Sequence, residues 1–129
     1  MQIPSFLQST SYSRQTDGIT SPQLIIGPFL SGSPLHHHTA AYNYLAIGTK
    51  RWLLLPPHQQ TFSNRPAHML FRDVDHVHNL EGVGHFCRQM EGDVLFVPDG
   101  WTHATINVET SYGIAEEMSW IKATKWRFL

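Results

Sequence analysis

Between Gly92 and Asn107 the chain reads Gly-Asp-Val-Leu-Phe-Val-Pro-Asp-Gly-Trp-Thr-His-Ala-Thr-Ile-Asn, and no other stretch restricts the fold so strongly. Residues 93–97 carry an apolar, β-branched strand signal. Pro98, Asp99 and Gly100 supply turn chemistry. A second strand signal follows, with His103 just past the turn, so the stretch reads as a hairpin. A histidine in that position can turn its imidazole into a small β-barrel, where a metal can sit.

The same signals recur along the chain. Residues 23–30 read as a strand broken at Gly27-Pro28, and residues 31–34 as a turn. Residues 35–39 read as a strand carrying three consecutive histidines. Tyr42 to Ile47 and Lys50 to Leu55 are strand-like runs around Gly48, and Pro56-Pro57 ends the second. Residues 58–85 are polar and without a clear period. They read as a long surface insertion with one short helix near Arg65 to Phe71. A strand resumes at Phe86 to Met90, and Ser111 to Met118 is the expected last strand. Many short strands, regular turns and no long amphipathic helix predict an all-β sandwich or barrel, with the double-sheet jelly roll as the natural architecture. Residues 1–22 are expected to be an irregular lead-in, 23–118 the domain, and 119–129 a short, basic, aromatic tail with helix as its expected form.

Composition narrows the function. A formal net charge of −1 gives no bulk pull toward nucleic acid or acidic lipid. A single cysteine, Cys87, excludes an intramolecular disulfide and a thiolate zinc cluster. No apolar run approaches a membrane span. Residues 1–7 lack the basic-then-apolar pattern of a secretory leader, so a cytoplasmic or nuclear setting is expected.

Nine histidines in 129 residues raise the interest in metal binding, provided that the spacing is right. Side chains at i and i+2 of a strand share a face, so His36 and His38 pair and His37 faces away. A catalytic metal takes two or three protein ligands on one side and keeps open positions on the other. The third ligand must come from a distant strand, and His103 is the candidate. A second His-x-His, His76 and His78 near Asp73 and Asp75, lies in the irregular segment without a partner at fixed spacing. With His85 it is read as surface. Cys87 is read as packing. Trp52 and Trp101 are expected to cover the barrel, and Trp120 and Trp126 to cap its open end or form a partner surface.

Gly92, Pro98, Gly100, His103 and Asn107 match every fixed position of the second cupin motif, G-x5-P-x-G-x2-H-x3-N. Upstream, the three histidines precede Gly48-Thr-Lys-Arg-Trp52 and an apolar run to Pro56-Pro57. With that half included, residues 24–118, apart from the irregular middle, resemble the JmjC domains of the cupin superfamily. The resemblance implies a double-stranded β-helix with an irregular insertion. It also implies iron(II) and 2-oxoglutarate, whose oxidative decarboxylation drives hydroxylation of a protein side chain or demethylation of lysine. By position, His36 would be the first iron ligand and His103 the last, with His38 between them. Lys50 would pair with the distal carboxylate of 2-oxoglutarate. Asn43 and Asn107 would lie near the cosubstrate. His38 stands where the family has Asp or Glu, and the usual facial triad is two histidines and one carboxylate. The expected function is therefore a protein oxygenase with an altered His-x-His and His ligand set. The alternatives are a catalytically inactive cupin-fold module that acts through protein contacts, and a metal cupin of another chemistry such as an isomerase. The expected partner is a protein, with no direct nucleic-acid binding.

Overall fold

The computed structural model describes residues 22–59, 61–76 and 84–118. It contains eight strands: β1 (Gln23–Gly27), β2 (Gly32–His36), β3 (Ala41–Ile47), β4 (Lys50–Leu55), β5 (His85–Gln89), β6 (Val94–Val97), β7 (Thr102–Asn107) and β8 (Ser111–Glu117). One α-helix, α1 (Ala67–His76), lies between β4 and β5. The strands form two four-stranded antiparallel sheets, ordered β1-β8-β3-β6 and β2-β7-β4-β5. This is the expected all-β jelly roll.

The chain crosses between the sheets at almost every step. The turn Pro98 to Trp101 is therefore not a hairpin loop, which corrects the sequence expectation. It carries the chain from β6, paired with β3, to β7, paired with β2 and β4. The Trp101 amide donates to the Pro98 carbonyl at 3.3 Å, and Gly100 holds a φ of +71°, which favours glycine. Only β4 and β5 are consecutive neighbours in one sheet, and the irregular insertion is their connection.

The central strand β4 is buried nearly throughout, because its two faces meet different partners. Trp52 and Leu54 pack inward with Val97. Leu53 and Leu55 pack outward with Ala104, Ile106, Leu35 and Phe71. Phe71 belongs to α1, whose apolar Ala67, Leu70 and Phe71 follow the i, i+3, i+4 spacing of one helix face. Met69 and Leu70 donate their amides to Pro66, which starts the helix. The helix begins two residues later and runs further than the sequence suggests.

Strand β2 also begins earlier than expected and ends at His36, so His37 and His38 lie beyond it. Pro34 is tolerated because β2 is an edge strand, and its register with β7 shifts between Ser33 and His36. Among the sequence expectations, the lead-in 1–21 and the tail 119–129 with Trp120 and Trp126 fall outside the described residues.

Phe71 is 2% exposed and closes the outer face of the β2-β7-β4-β5 sheet. Phe71→Ala should cost about 3–5 kcal/mol in urea unfolding monitored by circular dichroism. A loss of less than about 1 kcal/mol would mean that the helix is not part of the core.

Candidate metal centre

His36 and His103 face each other across the β2–β7 pair. Their ring centroids are 4.2 Å apart. His38 joins them from the loop after β2, with centroids 4.7 Å from His103 and 5.4 Å from His36. One nitrogen from each ring lies within 4.8 Å of the others. The three predicted ligands are thus brought together, but strand alternation is not what delivers His38. Its backbone carbonyl accepts the Gly100 amide at 3.3 Å, which ties the loop to the turn before β7. His37 does point away, and its ring stacks at 4.5 Å on Phe62.

The orientation of each imidazole is set by a backbone carbonyl one or two residues away. The Nδ1–H of His36 donates to the Pro34 carbonyl (2.7 Å), that of His38 to Thr39 (2.6 Å) and that of His103 to Trp101 (3.0 Å). A carbonyl oxygen only accepts, so each Nδ1 carries the proton and each Nε2 lone pair is left for a metal. His103 is 3% exposed. Burial pushes its pKa down to about 4, the Trp101 carbonyl opposes this, and the neighbouring histidines reinforce it. The ring is neutral at physiological pH, as a ligand must be.

The histidines line a cavity of about 300 Å³ shared with Lys50, Asn43, Trp52 and Thr105. Lys50 is 3% exposed and its pKa is lowered by burial. Among the described residues no carboxylate forms an ion pair with it, although Glu116 and Glu117 line the same cavity. Asn43 is buried in the opposite wall, on β3, and its side-chain oxygen has no hydrogen-bond partner. Lys50 sits opposite Asn107 and His103 opposite Leu54. Four residues of strand separate the two levels, about 13 Å, so the cation and the ligand cluster mark two ends of the cavity.

Asn107 is not among the cavity-lining residues. Its amide donates to Ser31 Oγ (2.8 Å) and to the Pro28 carbonyl (3.4 Å), tying down the turn between β1 and β2. Trp52 does not cover the barrel from outside. It lies inside, 4% exposed, with its ring centroid 5.9 Å from His103. Sequence reasoning missed its anchor, Gln89, which accepts the Trp52 indole N–H (3.0 Å) and donates to the Asn43 carbonyl (2.8 Å). The alternation Cys87, Gln89 was the available signal, since Cys87 packs on the same inner cluster. His85 is exposed and stacks on Trp101 at 5.7 Å. Asp73 pairs with Arg65 and Arg72 on the surface. His78 and the side chains of Asp75 and His76 fall outside the described residues.

Comparison with known proteins agrees on the kind of domain. The chain is 34% identical to JmjC domain-containing protein 8 of Homo sapiens, over 66% of this chain and 33% of the relative. It is 28% identical to the bifunctional arginine demethylase and lysyl-hydroxylase psr-1 of Caenorhabditis elegans, over 97% of this chain and 38% of the relative. It is 31% identical to the 2-oxoglutarate and iron-dependent oxygenase JMJD4 of Homo sapiens, over 80% and 28%. The chain therefore spans well under half the length of these curated relatives. No protein-family model matches it.

The buried neutral His103 should make the metal-free protein acid-sensitive. Its folded pKa of about 4 lies below the unfolded value of 6.5, so the unfolded chain takes up the proton first. The stability linked to this ring is fully present above pH 6.5 and is lost as pH falls toward 4. Its slope is at most about 1.4 kcal/mol per pH unit. Urea midpoints at several pH values, compared between wild type and His103→Leu, should show a shallower dependence in the variant. Identical slopes would remove His103 as the source.

Proposed function

The chain belongs to the JmjC group of the cupin superfamily, and on that premise we propose that it holds iron(II) at His36, His38 and His103 and acts as a 2-oxoglutarate-dependent protein oxygenase. The observation that supports this reading best is the convergence of three oriented imidazoles in one cavity with a buried lysine that forms no ion pair among the described residues. Imidazole donors suit first-row divalent metals. Ligands on one wall leave the cavity side of an ion open to other groups. Iron, when bound, would supply the one-electron and dioxygen chemistry that no side chain here can provide.

This chain's own residues would do the rest. Lys50 would hold the distal carboxylate of 2-oxoglutarate, since a buried ammonium without an ion-pair partner is stabilised by any anion that reaches it. Asn43 would offer its side-chain amide to the same molecule. Trp52, anchored by Gln89, would pack beside His103 and limit where a ligand can lie. His38 in place of a carboxylate leaves the ligand set without negative charge. An anionic cosubstrate would then offset more of the ion's charge than in a triad with a carboxylate. A protein side chain is the proposed substrate, in line with the arginine and lysyl activities in the relatives' names.

A second reading is a metal-binding interaction module without turnover. It is favoured by one observation, that the ligand cluster among the described residues contains no carboxylate.

Anaerobic iron(II) titration should give one tight site in the wild type, and His36→Ala or His103→Ala should weaken it by about tenfold or more. Lys50→Met should keep iron binding and lose 2-oxoglutarate binding by calorimetry. Succinate released from 2-oxoglutarate with iron and ascorbate should exceed the level of His103→Ala. Iron binding without succinate would favour the interaction module, and a gain of turnover in His38→Asp would trace the silence to that residue. Loss of 2-oxoglutarate binding in neither lysine nor histidine variants would overturn the site assignment.

A further inference from the structure

The two sheets are not treated alike by the rest of the chain. The outer face of β2-β7-β4-β5 is sealed by α1, where Leu53, Leu55, Ile106 and Phe71 are all buried. The outer face of β1-β8-β3-β6 is largely apolar, with Glu116 beside Tyr42 as its charged member, and carries no described element. Register places Leu24 beside Ile114, Ile26 beside Tyr112, Ile114 beside Tyr44, and Tyr42 beside Phe96, so these side chains share one face. Leu24 is 72% exposed, Ile26 60%, Phe96 55% and Tyr112 41%. An apolar face of this breadth on a sheet marks a surface made to be covered.

We propose that residues 119–129 of this chain fold back over that face. The segment holds Trp120, Ile121, Trp126, Phe128 and Leu129, interrupted by Lys122, Lys125 and Arg127. Buried aromatic rings remove about 150–250 Å² each from water, so this segment gains as much from the contact as the sheet does. The lead-in 1–21 is the weaker candidate, being dominated by Ser, Thr, Gln and other polar residues.

Connectivity also favours the tail. It follows β8, an inner strand of that very sheet, and Met118 donates its amide to the Ala40 carbonyl (2.6 Å) at the sheet's end. Eleven residues reach about 16 Å as a helix and about 36 Å extended, against about 23 Å for the seven residues of β8. A helical tail would bring Trp126, eight residues past Met118, about 12 Å along and so over the middle of the face. Tethering sets an effective concentration in the millimolar range, which a second copy of the chain does not have in dilute solution.

The test uses the full chain with Phe96 replaced by the photoreactive p-benzoylphenylalanine. Irradiation followed by peptide mass spectrometry should yield cross-links within one chain to residues 119–129. Cross-links to a second copy, to residues 1–21, or none at all would overturn the proposal. Trp120→Ser combined with Trp126→Ser should raise the emission of a hydrophobic dye severalfold while the strand signal in circular dichroism is retained. Unchanged emission in a folded variant would also overturn it. If that variant does not fold, the cross-link pattern alone decides.

Discussion

The pairing of β4 with β7 is the contact on which the other elements depend. These are the two inner strands of their sheet, and each presents chemically different faces. Inward they offer Lys50, Trp52, His103 and Thr105 to the cavity. Outward they offer Leu53, Leu55, Ala104 and Ile106 to the helix. A slip of one residue in this register would exchange the faces, putting His103 under α1 and leucines in the cavity. Apolar packing outside therefore holds the polar site in place inside.

The interior tolerates its polar groups by satisfying them locally. Each imidazole in the cluster spends one nitrogen on a nearby carbonyl, which fixes the ring without recruiting another side chain. Gln89, 1% exposed, meets the Trp52 indole and the backbone of β3 at once. Two polar groups that line the same cavity are left without such a partner. Lys50 has its charge buried without an ion pair among the described residues, and Asn43 has an oxygen without a donor. Buried polar atoms left unpaired in this way are costly to a folded chain.

Much of the site was legible in the residues. The fixed glycine, proline and histidine positions around the turn before β7 pointed to His103, and the run of histidines pointed to His36 and His38, although the strand that was to align them ends at His36. The glycines and Pro98 punctuate strands wherever they fall, so strand boundaries came within a few residues. Other features were not legible. Trp52 reads as a cover residue from composition and becomes a cavity wall only because Lys50, Trp52 and Leu54 share the inward phase of β4. Asn107 matches a motif position, yet its amide is engaged by Ser31 and Pro28 in a turn distant in sequence.

The sequence alone determined the strand–turn grammar, the presence of the three histidines and the absence of a carboxylate at His38, because these depend on residue type and short spacing. The tertiary structure decided which strands share a sheet, that the turn at Pro98 crosses between sheets, and that His38 reaches the cluster from a loop. It also decided that one outer face is sealed by α1 while the other carries no described cover. Those outcomes depend on contacts between residues tens of positions apart, where packing of two different faces, rather than local preference, selects the arrangement.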